Sequence, residues 1–335
     1  MRKKYLFLLI GLVITCVETK ADIAPTVMLS HNGVKTMFMW DQVQDAVDDA
    51  VDGDTIYLSE GTFQPFNVTK RIMVRGAGNK TMIDGNCEVD ISGLEKLQMP
   101  VLDALSFTGD ITVTSAYKQF TIRKCQMQSL NFIKGIFYDV KLDRCNIENE
   151  LFLTNNVKEF NCFNTKIKSL KPDNYLSGNA YFNHCNIRAI EDTIRATFDY
   201  CVLRYCMAWV KGNKYGTCIG GSVLNYCIYP TYNSCLNLGG TYDFSVSGQG
   251  APLFLYNSNV NFNNCYKVRI DKAADVVNYK SSSYLGDDDT MVGCYGGQHP
   301  YNRNPEVPGV TKYNLSIDAA TRTMKVTLTV DKLAK

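Results

Sequence analysis

Short alternating runs of apolar and polar residues recur along the middle of the chain, each ending at a cysteine. The words are "FTIRKCQM" (120–127), "VKLDRCNI" (140–147), "YFNHCNIR" (181–188), "ATFDYCVL" (196–203), "SVLNYCIY" (222–229) and "VNFNNCYK" (260–267). Five and three residues before the cysteine the chain is apolar: Phe120 and Ile122, Val140 and Leu142, Ala180 and Phe182, Ala196 and Phe198, Val260 and Phe262. That is period two, a strand with one face inward. The alternation breaks just before the cysteine, where Asp143, Asn183, Asp199, Asn225 and Asn263 occupy the second position back. It resumes at the cysteine and again two residues on, at Met127, Ile147, Ile187 and Leu203. Two strands joined by a two-residue bend fit this pattern, because Asn and Asp tolerate left-handed backbone.

Cys125, Cys145, Cys162, Cys185, Cys201, Cys227 and Cys265 share this context, at intervals of 20, 17, 23, 16, 26 and 38 residues. A period near twenty with insertions marks a solenoid. Coils this short, made of strands and tight bends, predict a parallel β-helix. Helical repeats are longer and carry apolar stripes of period 3.6. The cysteines then stack into an interior ladder of small apolar groups. Equivalent residues of adjacent coils carry parallel Cβ vectors, which suit a disulfide poorly, so free buried thiols are expected. The repeat at Cys162 departs from the others, with Phe160 and Asn161 where the bend should be, and its bend is expected to be shifted.

The two ends read differently. In "WDQVQDAVDDAVDGDTIYLSEGTF" (40–63), Val43, Ala46, Val47, Ala50 and Val51 form a helical stripe that Gly53 ends. A short amphipathic helix there would cover the open end of the stack. Residues 286–310 are rich in Gly, Pro and Asp and read as a linker. Beyond it, Tyr313, Leu315 and Ile317 alternate against Met324, Val326, Leu328 and Val330, a hairpin. Four segments follow: a signal peptide over 1–21, an N-terminal segment over 22–39, the β-helix over 40–285, and the linker with its C-terminal β unit over 286–335.

Composition narrows the setting. The chain has 335 residues, 45% hydrophobic and 20% charged, with a net charge of +2. These values describe a globular chain and supply no electrostatic reason to bind nucleic acid or an anionic membrane. At the N-terminus, Arg2, Lys3 and Lys4 precede an apolar run from Tyr5 to Thr15, with Thr19 and Ala21 at a cleavage position. The run is too short to span a bilayer and reads as an export signal. The protein is therefore expected in the periplasm, on the cell surface or secreted. Thr15 is a poor match to the small residue that precedes a lipoprotein cysteine, so cleavage is expected rather than a lipid anchor at Cys16. Removing the signal leaves twelve of the 13 cysteines, and none lies in a C-x-x-C pair.

The segment "GDTIYLSEGTF", followed by "RIMVRGAGNKTMIDG", resembles the opening of right-handed parallel β-helix proteins of the pectin-lyase-like superfamily. In that family a capping helix leads into a first coil of this type. The resemblance implies an all-β, right-handed parallel β-helix with an N-terminal capping helix and a short C-terminal β hairpin or cap. It leaves activity open, since polysaccharide lyases, which use Ca²⁺ and a basic residue, and glycoside hydrolases, which use grouped Asp, share the fold. The hydrolase words are missing: there is no G-H-G, and the Asp287–Asp289 run falls in the linker, where it reads as a solvated turn, with Ca²⁺ binding as the alternative. Asp139, Asp143 and Asp199 read as bend residues. Of the three histidines, His184 reads as an exposed bend residue and His299 lies in the linker.

The best candidate patch is "LRYCMAWVKGNKYG" (203–216), an insertion between Cys201 and Cys227. It gathers Arg204, Tyr205, Trp209, Lys211, Lys214 and Tyr215. Aromatic rings can lie against pyranose faces, and Lys or Arg can bond carboxylates and hydroxyls. Trp209 could instead pack the insertion onto the coil wall. The reading that emerges is an exported β-helix protein that binds polysaccharide, with no metal site, no required cofactor and no membrane span. The alternatives are a lyase or hydrolase, with Ca²⁺ as the cofactor of a lyase, and a structural surface protein or adhesin. The sequence specifies no oligomeric state.

Overall fold

Period-two alternation repeated every coil is satisfied by pairing each coil with the next, and this is the architecture found. The computed structural model describes residues 24–90, 100–114, 118–154, 156–173, 176–191, 194–205, 207–210, 214–217, 222–225, 227–230, 261–263, 266–268, 293–294, 310–318 and 323–330. The first wall is a 12-stranded sheet. It opens with the antiparallel pair Thr26–His31 and Val34–Met39, the former pairing antiparallel with Thr55–Leu58. From Thr55–Leu58 onward each pairing in this wall is parallel, through Met73–Arg75, Val101–Asp103, Lys118–Arg123, Phe137–Asp143, Glu159–Phe163, Leu176–Asn183, Ile194–Asp199 and Val223–Asn225 to Asn261–Asn263. A 14-stranded sheet closes the coils. One row of it runs from Gly61–Phe63 through Gln126–Met127 to Tyr266–Val268, and a further row contains Cys87–Asp90, Ile111–Thr114 and Leu130–Lys134. The fold is therefore a parallel β-solenoid.

Six successive turns from the first wall into the second each use one residue with left-handed backbone. These are Ala104 (φ 57), Lys124 (54), Arg144 (55), Asn164 (48), His184 (53) and Tyr200 (51). This narrows the two-residue bend inferred from sequence to its second residue and removes the Asn/Asp position from it. Asp143, Asn183 and Asp199 still belong to the first-wall strands, and the residue after each makes the bend. What holds that bend is the next coil. The corner N–H of Ala104 donates to the Arg123 carbonyl, Lys124 to Asp143, Arg144 to Phe163, Asn164 to Asn183, His184 to Asp199 and Tyr200 to Asn225.

Behind each corner sits a buried residue: Leu105, Cys125, Cys145, Thr165, Cys185 and Cys201, with Cys227 buried one coil further. Cys162 is not among them. It lies inside the strand Glu159–Phe163, in register with Leu142 and Phe182, and Thr165 takes the corner. The Thr165 hydroxyl stands in well, donating to the Phe163 carbonyl (2.8 Å) and accepting from the Cys145 N–H (3.2 Å). The other inward positions are filled by aromatic and branched side chains. Phe182, for example, is fully buried, with ring centroids 5.4 Å from Phe160 and 5.1 Å from Phe198.

The predicted helix forms over Val43–Asp49 and packs on the two N-terminal strands. Val43, Ala46, Val47 and Ala50 are buried, but Val51 is 49% exposed, because the helix has ended before it. Lys70 holds the helix C-terminus, its Nζ donating to the carbonyls of Val47 (3.1 Å), Asp48 and Ala50 (2.8 Å). The C-terminal hairpin pairs Val310–Asp318 with Thr323–Val330, with Tyr313 opposite Leu328, Leu315 opposite Val326 and Ile317 opposite Met324. The expected signal peptide lies outside the described residues, as does almost all of the linker. Among the described residues no helix is long and apolar enough to cross a membrane.

Cys87, Cys125, Cys145, Cys162, Cys185, Cys201, Cys227 and Cys294 are free and buried. Burial pushes the Cys87 thiol up from 9.0 to about 11 and Cys145 to about 12, and lifts Cys125, Cys162 and Cys201 well above the ordinary value. A thiol raised on folding keeps its proton in the folded chain after the unfolded chain has lost it. Its contribution is intact below 9.0 and is lost as pH climbs toward the folded values. Urea midpoints are therefore expected to stay level up to about pH 8.5 and to fall steeply above 9.0. A midpoint unchanged up to about pH 11 would show that these thiols are not buried in the folded chain.

Candidate functional site

Because coils stack in register, outward residues of the first wall form rows along the solenoid. One row holds Thr55, Met73, Val101, Thr121 and Lys141 on five consecutive parallel strands. A cleft of about 370 Å³ follows this row, rimmed by Asp52 and Arg71 toward one end and by Gln119 and Asp139 toward the other. The neighbouring outward row holds Tyr57, Arg75, Asp103, Arg123 and Asp143. There the nearly buried Asp103 is bridged by Arg75 Nε (2.8 Å) and Arg123 Nη2 (3.0 Å), stiffening the wall beside the cleft.

Asp139 is placed by a break in the regular pattern. Lys118 pairs with Phe137 but Phe120 pairs with Val140, so Phe137–Asp143 carries one extra residue. Asp139 takes up the extra length with φ 55 in mid-strand, a bulge that re-aims its side chain. Its carboxylate accepts from Gln119 Nε2 (2.8 Å), Lys141 Nζ (3.0 Å) and Asn161 Nδ2 (3.4 Å), tying three coils together. It is thus a bulge residue and not the bend residue inferred from sequence. At the other end, Arg71 donates to Asp52 Oδ2 from Nε (2.9 Å) and Nη2 (2.7 Å). Asp54, beneath this pair, accepts from the Val51 N–H (2.9 Å) and bonds His31 Nδ1 (2.8 Å).

A second polar cluster lies further along the first wall. Asn183 Nδ2 donates to Tyr181 Oη (2.8 Å), Tyr181 Oη donates to Asp199 Oδ2 (2.6 Å), and Asn225 Nδ2 donates to Asp199 Oδ1 (2.5 Å). Burial, reinforced by the Asp199 carboxylate, pushes the Tyr181 phenol up to about 12, so it serves as a donor and not as a base. His184 is 4% exposed, its ring stacked on Tyr200 at 4.9 Å and bonded to Asn183 Oδ1. His184 is the bend residue expected, but the exposure expected of it is wrong: coil stacking buries it. Asp199, like Asp139, is not a bend residue. Its carboxylate completes this network, which joins coils.

The insertion singled out from sequence is partly described. Arg204 and Tyr205 end the strand Val202–Tyr205. Met207–Val210 and Lys214–Thr217 form a separate antiparallel hairpin, with Trp209 opposite Tyr215 and Val210 opposite Lys214. The backbone thus brings Trp209 and Tyr215 together, and Lys211 lies outside the described residues. Sequence reasoning missed the cleft. The available signal was the apolar spacing of Phe137, Val140 and Leu142, three residues and then two, which marks a bulge at Asp139.

Among the described residues no group of three or more His, Cys, Asp or Glu could hold a metal ion. The Asp287–Asp289 run lies outside them. No family model, curated protein or solved structure matches the chain. The superfamily resemblance accordingly rests on the opening residues alone.

Asp139 can be tested directly. Asp139→Asn should fold with nearly wild-type stability, because Asn tolerates left-handed backbone and can still accept from Gln119. Asp139→Val should cost about 1–3 kcal/mol in urea denaturation, from a β-branched residue held at positive φ. Equal stabilities for the two variants would show that the bulge does not constrain this position.

Proposed function

We propose that the protein is an exported, non-catalytic β-helix of the pectin-lyase-like type that holds a linear polysaccharide along its first wall. The cleft over five consecutive strands carries this reading. Four inter-strand steps of roughly 4.8 Å give it about 19 Å of length along the solenoid. An elongated trough with an apolar middle (Met73, Val101) and a polar rim suits an extended chain of sugars better than a compact metabolite. Its rim offers donors from Gln119, Lys141 and Arg71 and acceptors from Asp52 and Asp139, matching hydroxyl groups that both donate and accept. The insertion bearing Arg204, Tyr205, Trp209, Lys211, Lys214 and Tyr215 is a second contact for the same polymer.

The charges of the cleft favour an uncharged glycan. Arg71 is committed to Asp52 and Lys141 to Asp139. A polyuronate would have to break those pairs to be held. The carboxylates, bonded to cations or amides, bind hydroxyls and need play no part in bond cleavage. Export is supported by the basic residues, apolar run and small residues of the first 21 positions.

Affinity electrophoresis of the processed protein through gels containing an uncharged glucan or mannan, or polygalacturonate, tests this reading. Migration should be retarded by an uncharged polymer, with no reducing ends or unsaturated sugars released. Gln119→Ala and Lys141→Ala should each weaken binding about five- to tenfold, the loss of one polar contact. Unretarded migration in every gel would overturn the binding reading, and accumulating products would make the protein an enzyme.

A further inference from the structure

The first wall ends on the strand Val34–Met39, and among the described residues no strand pairs with its outer edge. Edge strands of soluble proteins are ordinarily blunted by charges, proline or bulges. This one carries Lys35 as its single charge and no proline. Its apolar side chains are open to solvent: Val34 is 66% exposed, Met37 60% and Met39 70%, and Trp40 just beyond is 43% exposed. The apolar surface continues inward, since Met37 lies opposite Met28 and Met28 opposite Tyr57 on the outer face.

We propose that this edge pairs antiparallel with the same edge of a second copy, joining two solenoids end to end through one continuous sheet. The two-fold axis stands perpendicular to the sheet, so residues opposite one another must share a face. Centring the axis on Met37 satisfies this. Met37 then faces Met37 of the second copy, Lys35 faces Met39, Thr36 faces Phe38 and Val34 faces Trp40. The row Tyr57, Met28 and Met37 continues unbroken into its own copy across the junction. No lysine meets a lysine: the two Lys35 are four residues apart along the strands, about 13 Å, beyond the screening length of about 8 Å in physiological salt.

Light scattering of the processed protein over a range of concentrations gives its mass. A dimer is expected, and Met37→Lys, which sets like charges directly opposite, should raise the dimer dissociation constant at least tenfold with an unchanged circular dichroism spectrum. Met37→Cys should become cross-linked to itself by oxidised glutathione, two thiols giving one disulfide as the glutathione disulfide is reduced. Tyr138→Cys, exposed elsewhere, should not. A monomer at every concentration would overturn the proposal. So would a dimer indifferent to Met37→Lys, or equal cross-linking of the two cysteine variants.

Discussion

The stack depends on one hydrogen bond repeated at six successive corners. A residue with positive φ turns the chain from the first wall to the second, and its N–H is received by the carbonyl that precedes the equivalent corner of the next coil. Left-handed backbone costs an L-residue roughly 1–2 kcal/mol, and a coil in isolation has no means of offsetting that cost. Stacking supplies the bond, covers the corner and buries the residue behind it. This is why a coil has little stability of its own and gains it from neighbours, as in other solenoids. It also explains the tolerance of the corner for Ala, Lys, Arg, Asn, His and Tyr. None is β-branched, and beyond that the side chain matters less than the N–H.

The residue behind the corner is held more tightly. It is buried where the wall turns around it, so it must not leave a polar atom unpaired, and from Cys125 onward it is small. Cysteine meets both demands. At Thr165 the hydroxyl needs partners, and it finds a carbonyl of its own coil and an N–H of the coil before. This explains why the repeat was readable from cysteines yet misplaced at one coil. Cys162 is inward-facing like Leu142 and Phe182, so composition drew attention to it although it fills a strand position.

Strand faces and the C-terminal hairpin register were legible because alternation records them directly. The first residue of the two-residue bend was assigned wrongly, for a physical reason. Asn and Asp before the corner suggest left-handed backbone, but at Asp199, Asn183 and Asn225 their side chains serve lateral bonding along the outer surface. The burial of His184 was likewise hidden, since it comes from Tyr200 of the next coil. Val51 continued the apolar stripe on paper but lies past the helix end. Contacts between coils and the points where elements stop are set by stacking, and local sequence carries little of either.

The cleft was least visible for a related reason. Its residues come from five coils and share no word, and a period search discards the one irregular residue that shapes it. A perfectly periodic wall presents a uniform surface, and recognition needs departures from uniformity. Asp139 is such a departure: an inserted residue in left-handed backbone, retained in mid-strand and bonded to three coils. The hairpin Met207–Val210 with Lys214–Thr217, which stands outside both walls, is another, and the open edge Val34–Met39 is a third. Local rules broken without gain in packing are where function concentrates. In this protein the repeats account for stability, and the interruptions to them carry the case for binding.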